Sequence, residues 1–191
     1  FGIQKMSVVA HGFGAVLALI YSRDYPNHVD RLFLISPMGL SDTYEKEFQE
    51  RVSRKMDTKT TKQVRIWEAD LMSSSLDTLD IAMTNIFRLR LPYQFYDPKK
   101  AARLNLLEFS NLAAAGFFYS LDFDRLKKES ANITVPIMIV YGSDDPYPEK
   151  AYLEYAHYFP HAEIRKISKC GHYPFIEHPQ RVKAMIIDFF K

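Results

Sequence analysis

One short stretch of the sequence, residues 5–15, constrains the fold of the rest. It begins with an apolar, β-branched run at residues 6–10, which predicts a buried strand. The apolar run at residues 15–21 has no helix breaker and predicts the start of a buried helix. Only residues 11–14 separate the two runs, so the chain has to turn sharply between them. Such an abrupt turn from strand to helix is typical of a nucleophile elbow.

The middle position of this turn decides which chemistry the elbow can carry. The elbow pattern is G-x-S-x-G, and residues 10–14 here are Ala-His-Gly-Phe-Gly. Gly12 therefore stands where the nucleophilic serine would be, and it has no side chain that could attack an electrophile. Its backbone adopts the strained conformation of such a turn more easily than serine does. The pattern thus predicts an elbow without its nucleophile.

A glycine loop that binds phosphate at a helix N-terminus is the alternative interpretation of these residues. A dinucleotide-binding loop would need a third glycine at position 17, which is Leu17, and an acidic residue about 20 residues further on. Asp30 has about that spacing, but it precedes the next predicted strand instead of ending it. The order of strand, turn and helix therefore favours the elbow.

Composition and charge exclude several other classes of protein. A chain of 191 residues with 47% hydrophobic and 25% charged residues is typical of one globular domain. A net charge of +2 offers no electrostatic basis for binding nucleic acid. The sequence shows no signal-peptide pattern or membrane span, and its single cysteine favours a reducing compartment. We expect an intracellular protein, either soluble or peripheral. A location in an organelle such as the mitochondrion is compatible with these features.

The rest of the chain predicts more parallel strands with one helical insertion. Residues 30–37 form a second apolar run, which with the elbow makes a strand–helix–strand unit. Residues 135–141 and 163–168 predict two further strands, each followed by a helix. Residues 41–132 carry apolar side chains at helical spacing without strand-like alternation, so this segment is expected to be helical.

Two more motifs follow predicted strands. The run YGSDDPYP places Asp145 three residues after a glycine, with Asp144 as a competing acid. The run KCGHYPFIEHP places His172 directly after a glycine. Each motif alone is common, but the elbow, the acid and the histidine follow one another in the order of nucleophile, acid and base.

Together the three motifs resemble the α/β-hydrolase fold superfamily, over nearly the whole chain and over the C-terminal two thirds of that fold. The resemblance implies an α/β fold with a mostly parallel sheet and flanking helices. It implies a core formed by residues 1–40 and 133–191 and a helical lid formed by residues 41–132. Within the superfamily, the run LISPMGLSD is similar to the CGI-58-like hydrolases, some of which have lost the nucleophile.

The resemblance also implies roles for the site residues. His172 would take the proton of a nucleophile, and Asp145 would hold its imidazole in the productive tautomer. The backbone N–H of Phe13 would supply half of an oxyanion hole. The nucleophile position at Gly12 is vacant, and neither a metal nor a cofactor is implied.

Other reactive side chains have simpler interpretations. Ser7 lies inside the first strand and Ser36 at the end of the second, so neither is expected to replace the nucleophile at the elbow. Cys170 is interpreted as structural, and His11 is expected to pack beside the elbow. The remaining histidines show no metal-ligand spacing and are expected at the surface or at helix ends: His28, His157, His161 and His178.

The earlier strands of this fold are absent from the sequence. Without them residues 6–10 would form an exposed apolar sheet edge, and such edges promote aggregation. We therefore expect another segment to cover it. That segment would be an N-terminal half of the fold supplied by the same or a separate polypeptide, which is compatible with a larger protein assembly.

Three functions are compatible with these residues. Gly12 favours a pseudo-hydrolase that serves as a structural or binding subunit, with a lipid or acyl ligand under the lid, and this is the function we expect. The second is a serine hydrolase of lipid or acyl esters in which glycine has replaced the serine, since the acid and the histidine are both present. The third is a lid that binds a membrane or lipid droplet. Three lid aromatics, Phe117, Phe118 and Tyr119, are more simply interpreted as lid core.

Overall fold

A parallel β-sheet forms the centre of the molecule. The computed structural model describes residues 2–72, 75–104, 108, 110, 116 and 121–191. Within these residues the sheet has four strands, which lie side by side in chain order with every neighbouring pair parallel. The strands are β1 (Met6–His11), β2 (Val29–Ile35), β3 (Ile137–Gly142) and β4 (Glu163–Ile167).

Helices connect the strands and cover both faces of the sheet. The helix α1 (Phe13–Asp24) joins β1 to β2. Three helices follow β2, and a shorter one precedes β3: α2 (Asp42–Lys55), α3 (Thr58–Asp70), α4 (Leu76–Arg90) and α5 (Phe123–Lys128). The last three are α6 (Glu149–Tyr158), α7 (Pro174–Glu177) and α8 (Pro179–Phe189). The predicted α/β class with a mostly parallel sheet and flanking helices is thereby confirmed.

Alternate side chains of β2 enter two different hydrophobic clusters. Leu32 and Leu34 pack in the cluster that includes residues of α1 and α6. Phe33 and Ile35 pack on the opposite face, in the cluster that includes Val182 of α8. Because side chains alternate along a strand, a sheet covered on both faces needs apolar residues at every position. This explains why β2 is a continuous apolar run in the sequence.

The turn between β1 and α1 is shorter than the four residues predicted for it. His11 is the last residue of β1 and Phe13 is the first of α1, so Gly12 alone makes the turn. The strand β2 is also shorter than predicted, since it ends at Ile35 and not near residue 37. It ends there because Ser36 has φ 41°, a left-handed conformation that breaks the extended backbone.

The strand β1 is not buried, contrary to its prediction from apolar, β-branched residues. Among the described residues it pairs only with β2, so it forms an edge of the sheet. Met6 is 37% exposed and Val9 46% exposed, whereas every residue of the central strand β3 is buried. The prediction failed because apolar composition indicates that a strand needs cover but not that the cover is present.

The segment between β2 and β3 is helical where the structure describes it. Pro92 and Pro98 each lie in the first turn of a short 3₁₀ helix, Leu91–Gln94 and Pro98–Leu104. The three aromatics assigned to the lid, Phe117, Phe118 and Tyr119, lie outside the described residues. The division into core and lid stays a prediction. No helix in the described part of the chain combines the length and the apolar character needed to cross a membrane.

Candidate functional site

The residues of the candidate site follow the carboxyl ends of the strands. Gly12 comes directly after β1, and Ser36 comes directly after β2. Asp145 lies in the loop after β3, and His172 lies in the loop after β4. Because parallel strands end at the same side of a sheet, four segments that are distant in sequence meet there.

Gly12 occupies a strained and firmly held turn. Its φ and ψ are 58° and −127°, a combination that side chains of L-residues disfavour. Its N–H donates to the carbonyl of Ile35 at 3.1 Å, and its own carbonyl accepts from the N–H groups of Ala15 and Met38, each at 3.2 Å. Both peptide groups are therefore bonded to neighbouring segments, and the sharp bend expected of an elbow is present.

The vacant position at Gly12 faces the imidazole of His172. A Cβ atom built on Gly12 would lie 3.7 Å from Nε2 of His172, and no other described residue beyond the adjacent ones comes within 4 Å of it. A side chain one atom longer than alanine would therefore bring its terminal atom within hydrogen-bonding range of Nε2. The fold thus keeps the space of a nucleophile while the residue supplies none.

Asp145 pairs with the other nitrogen of the same imidazole. Nδ1 of His172 lies 3.0 and 3.1 Å from the two carboxylate oxygens of Asp145. Both residues are only 6% exposed. This is the arrangement in which a carboxylate fixes the tautomer and orientation of a histidine.

The imidazole of His172 helps to keep Asp145 ionised. Burial alone would raise the pKa of this carboxyl group. The nearby imidazole and its hydrogen bond act in the opposite direction, as does the backbone N–H of Tyr147, which donates to Asp145 at 3.0 Å. The result is a pKa below the ordinary value of an aspartate, so the carboxylate is charged at neutral pH.

Asp144 does not take part in the pair, although the sequence left it as a competitor. Its backbone N–H donates to the carbonyl of Cys170 at 2.8 Å, and its carboxylate accepts from the hydroxyl of Ser143 at 2.6 Å. These bonds occupy Asp144 locally and leave Asp145 as the carboxylate that reaches His172.

His11 does more than pack. Its Nε2 lies 2.8 Å from the carbonyl oxygen of His172, so the neutral ring donates a hydrogen bond to the backbone of that residue. Burial and the neighbouring His172 lower the pKa of His11 to about 3, which keeps the ring uncharged. No sequence pattern indicated this bond, because it joins residues 161 positions apart.

Residues that were not identified from the sequence hold the loop that carries His172 in place. The N–H of His172 donates to the carbonyl of Gln94 at 2.8 Å. A Cβ on Gly171 would lie 2.2 Å from that same carbonyl oxygen, so only glycine fits there. The buried carboxylate of Glu177 accepts from the N–H groups of Gly171 at 2.5 Å, Asp97 at 3.0 Å and Tyr96 at 3.3 Å. It thereby joins the histidine loop to residues 96–97.

The other candidate nucleophiles do not reach the site in a usable form. Ser7 is exposed and bonds Asp30 at 3.4 Å near the amino end of the sheet. Ser36 is fully buried, and Cys170 is fully buried with a pKa raised by that burial and by nearby carboxylates. A buried thiol with a raised pKa is unreactive.

The position of Asp30 does not support the dinucleotide-loop interpretation. Asp30 is the second residue of β2 and therefore lies at the opposite end of the strands from Gly12.

The remaining sequence candidates are placed as follows. Phe13 is the first residue of α1, where a backbone N–H has no acceptor within the helix itself, and its part in an oxyanion hole stays a prediction. His28, His157 and His161 are exposed, and His178 is half-buried. Within the described residues no group of three or more His, Cys, Asp or Glu side chains is arranged to hold a metal ion.

Comparison with known proteins identifies the family to which this fold belongs. A family model described as the alpha/beta hydrolase fold matches residues 1–179. The monoacylglycerol lipase ABHD6 of Rattus norvegicus is 20% identical over 189 residues, which cover 97% of this chain and 55% of the relative. A 2-hydroxy-6-oxononadienedioate/2-hydroxy-6-oxononatrienedioate hydrolase of Paraburkholderia phymatum is 24% identical over 196 residues, covering 98% of this chain and 63% of the relative.

Among solved structures, an alpha/beta fold family hydrolase from Bacillus anthracis str. Sterne superposes with a TM-score of 0.70 at 18% identity. The match covers 97% of this chain and 67% of that one. This likeness concerns the fold alone. The chain thus spans little more than half the length of the lipase and about two thirds of the solved hydrolase.

Proposed function

Because this chain belongs to the alpha/beta hydrolase fold family, we propose that it is a catalytically impaired member of it, serving as a structural or binding subunit. The observation that carries the proposal is Gly12, which has the strained backbone of an elbow and faces Nε2 of His172 without a side chain. Removing the nucleophile of a serine hydrolase leaves only the modest catalysis that binding and the oxyanion hole provide, about 10³–10⁴-fold over water. Its similarity to CGI-58-like hydrolases stays a prediction.

A fluorophosphonate probe tests this proposal, because it labels only an activated nucleophile. We expect no labelling of the complete gene product that contains this chain. The variant G12S places a hydroxyl within reach of Nε2 and is expected to be labelled when the second oxyanion donor is present. The matched variant G12A imposes the same backbone strain without a hydroxyl and should stay unlabelled. Labelling of the unchanged protein at any residue would refute the claim that no nucleophile remains.

A second candidate function is a serine hydrolase of lipid or acyl esters in which Gly12 has replaced a serine. The intact pair of Asp145 and His172 favours it, since a protein without catalysis has no need to keep both residues aligned. The genomic codon at position 12 separates the two candidates. A serine codon would exclude the pseudo-hydrolase, and a glycine codon would exclude the replacement.

Exposed apolar side chains on α3 and α4 and in the turn between them favour a third candidate, contact of the lid segment with a membrane or lipid droplet. Met72 is 90% exposed, Ile66 68%, Leu76 57% and Ile81 55%. Liposome flotation tests this candidate with the variant M72E, which should reduce flotation at least fivefold. The variant L153E changes a leucine on α6 that is 56% exposed and should leave flotation unchanged. Absence of flotation in the unchanged protein would remove the candidate.

The unpaired side of β1 supports a further part of the proposal, that another segment covers this edge. The apolar residues Ile3, Met6, Val9 and Phe13 are all more than a third exposed around β1 and the start of α1. A segment carrying the first half of the fold, from the same or a separate polypeptide, would bury them and would bring the second oxyanion donor to Gly12. An assembly of this kind suits a protein whose role is binding.

A further inference from the structure

We propose that the hydroxyl groups of Tyr152 and Ser36 form a buried hydrogen-bonded chain that holds the carboxylate of Asp145 in place. In this chain Ser36 donates to Tyr152, and Tyr152 donates to Asp145. Both are positioning residues, because they act on His172 through that carboxylate. The chain would orient the acid whether or not position 12 carries a nucleophile, so it goes beyond the proposed function.

The two hydroxyl groups are completely buried. Tyr152 lies on α6 and Ser36 directly after β2, and both residues are 0% exposed. Among the described residues neither hydroxyl oxygen has a hydrogen-bond partner in ordinary geometry. A buried hydroxyl without a partner costs free energy, so a folded protein rarely retains one without a reason.

The carboxylate of Asp145 joins the two hydroxyl groups in one polar cluster. The Tyr152 hydroxyl lies close enough to both neighbours for each to act on its pKa: burial and Asp145 raise this pKa, whereas Ser36 lowers it. Burial and His172 have the largest effects on the pKa of Asp145, which Tyr152 also helps to lower. These directions are the ones expected if Tyr152 donates to the carboxylate and accepts from the serine.

Aromatic packing holds the ring of Tyr152 beside the carboxylate. The ring stacks on Tyr141 with the ring centroids 4.2 Å apart, and it meets Tyr147 edge-on at 6.4 Å. The backbone N–H of Tyr147 itself donates to Oδ1 of Asp145 at 3.0 Å. The hydroxyl of Tyr152 therefore has little freedom to turn away from the acid.

The carboxylate of Asp145 has room for another donor. Its Oδ1 accepts from Tyr147 and from Nδ1 of His172, whereas within the described residues Oδ2 accepts from that Nδ1 alone, at 3.0 Å. A carboxylate oxygen can accept two hydrogen bonds. A small rotation of the side chains, or one internal water molecule, would complete the bond between Tyr152 and Oδ2.

The backbone at Ser36 is strained in a way that keeps its hydroxyl at this point. Its φ of 41° lies in the left-handed region, and its N–H donates to the carbonyl of Val140 at 2.7 Å. Glycine would adopt this conformation at a lower cost. Strained residues other than glycine persist where the surrounding structure fixes them, and they cluster at functional sites.

Solvent exchange of the Nδ1 proton of His172, measured by NMR in the complete gene product, tests the proposal. The variant Y152F removes the hydroxyl and keeps the ring, and it should speed exchange about tenfold, because a less firmly held carboxylate releases this proton more often. The control Y155F removes an equally buried hydroxyl of the same helix, which donates to the carbonyl of Met38 at 2.6 Å. It should leave the exchange unchanged. An unchanged exchange rate in Y152F would overturn the proposal.

Urea unfolding of S36A, Y152F and the double variant shows whether the two hydroxyl groups act as one chain. Each single variant should lower the urea midpoint, and the double variant should lower it by less than the sum, since either change alone already breaks the chain. The control S22A removes another fully buried hydroxyl without a partner among the described residues, in the last turn of α1. Its midpoint should stay the same or rise. Additive effects of S36A and Y152F, or a midpoint that rises in Y152F, would show that the hydroxyl groups are isolated and would refute the chain.

Discussion

At the scale of single residues, two requirements oppose each other at position 12. The turn needs a positive φ, which costs an L-residue about 1–2 kcal/mol, and a hydrolase needs a side chain there in spite of that cost. Gly12 adopts the positive φ at a lower cost than an L-residue would, but it supplies no side chain. His172 and Asp145 are aligned beside it, so the proposed pseudo-hydrolase would lack one side chain and not the architecture.

The partly buried ring of His11 predicts a loss of stability in acid. Its pKa is about 3 in the folded protein against 6.5 when exposed, so below pH 6.5 the unfolded chain binds a proton that the folded chain does not. The free energy of unfolding should therefore fall as the pH drops from 6.5 to 3. Since one pKa unit corresponds to about 1.4 kcal/mol and the ring is only partly buried, we expect a loss of about 2–4 kcal/mol.

Urea unfolding of the unchanged protein and of H11Q between pH 7 and pH 4 measures this effect. Glutamine at position 11 keeps an N–H donor for the carbonyl of His172 but cannot titrate, so the acid loss should be smaller. The variant H157Q, at an exposed histidine, serves as the control and should follow the unchanged protein. Identical pH profiles for H11Q and the unchanged protein would show that His11 does not carry the effect.

At the scale of elements, one buried carboxylate sets the position of the histidine loop. Glu177, the last residue of α7, accepts three backbone N–H groups, from Gly171, Tyr96 and Asp97. In addition, Lys100 donates to the backbone carbonyl of Glu177 at 3.0 Å. Glu177 thus links the loop that carries His172 to residues 96–97, which lie far from it in sequence. This junction holds His172 in position.

The variant E177Q should lower the free energy of unfolding by about 1.5–3 kcal/mol, because an amide offers one acceptor oxygen and no charge to three donors. Urea unfolding measures the loss. The control E50Q removes the charge of an exposed carboxylate that pairs with Arg54 at 3.0 Å, and it should cost no more than about 0.5 kcal/mol. If E177Q proved as stable as E50Q, the junction would not depend on this carboxylate.

At the scale of the whole molecule, the described sheet ends at β1 and at β4, and apolar residues are exposed at the β1 edge. The strands β2 and β3 have neighbours on both sides, whereas β1 has one, and its apolar residues are exposed. An exposed apolar edge of a sheet promotes pairing with a strand of another chain. We therefore expect the stability of the molecule to depend on what lies against β1.

Residues 1–191 expressed alone should associate into dimers or larger species, which size-exclusion chromatography with mass detection measures. In the complete gene product the variant V9K should cost about 2 kcal/mol or more, because a covering segment would bury the new charge. The variant L153K changes a leucine that is 56% exposed on α6 and should be nearly neutral. A well-behaved monomer of residues 1–191, with V9K as mild as L153K, would contradict the proposed cover.

The sequence by itself determined which segments become strands, the order of the three motifs and the absence of a nucleophile at Gly12. These depend on patterns within a few residues, such as the continuous apolar run of β2, which reflects a strand covered on both faces. Only the tertiary structure decided that Asp145 and not Asp144 reaches His172, that His11 donates to that residue, and that β1 is exposed. Each of these depends on contacts between residues far apart in the chain, or on which strands pair in the sheet, and no local pattern records either.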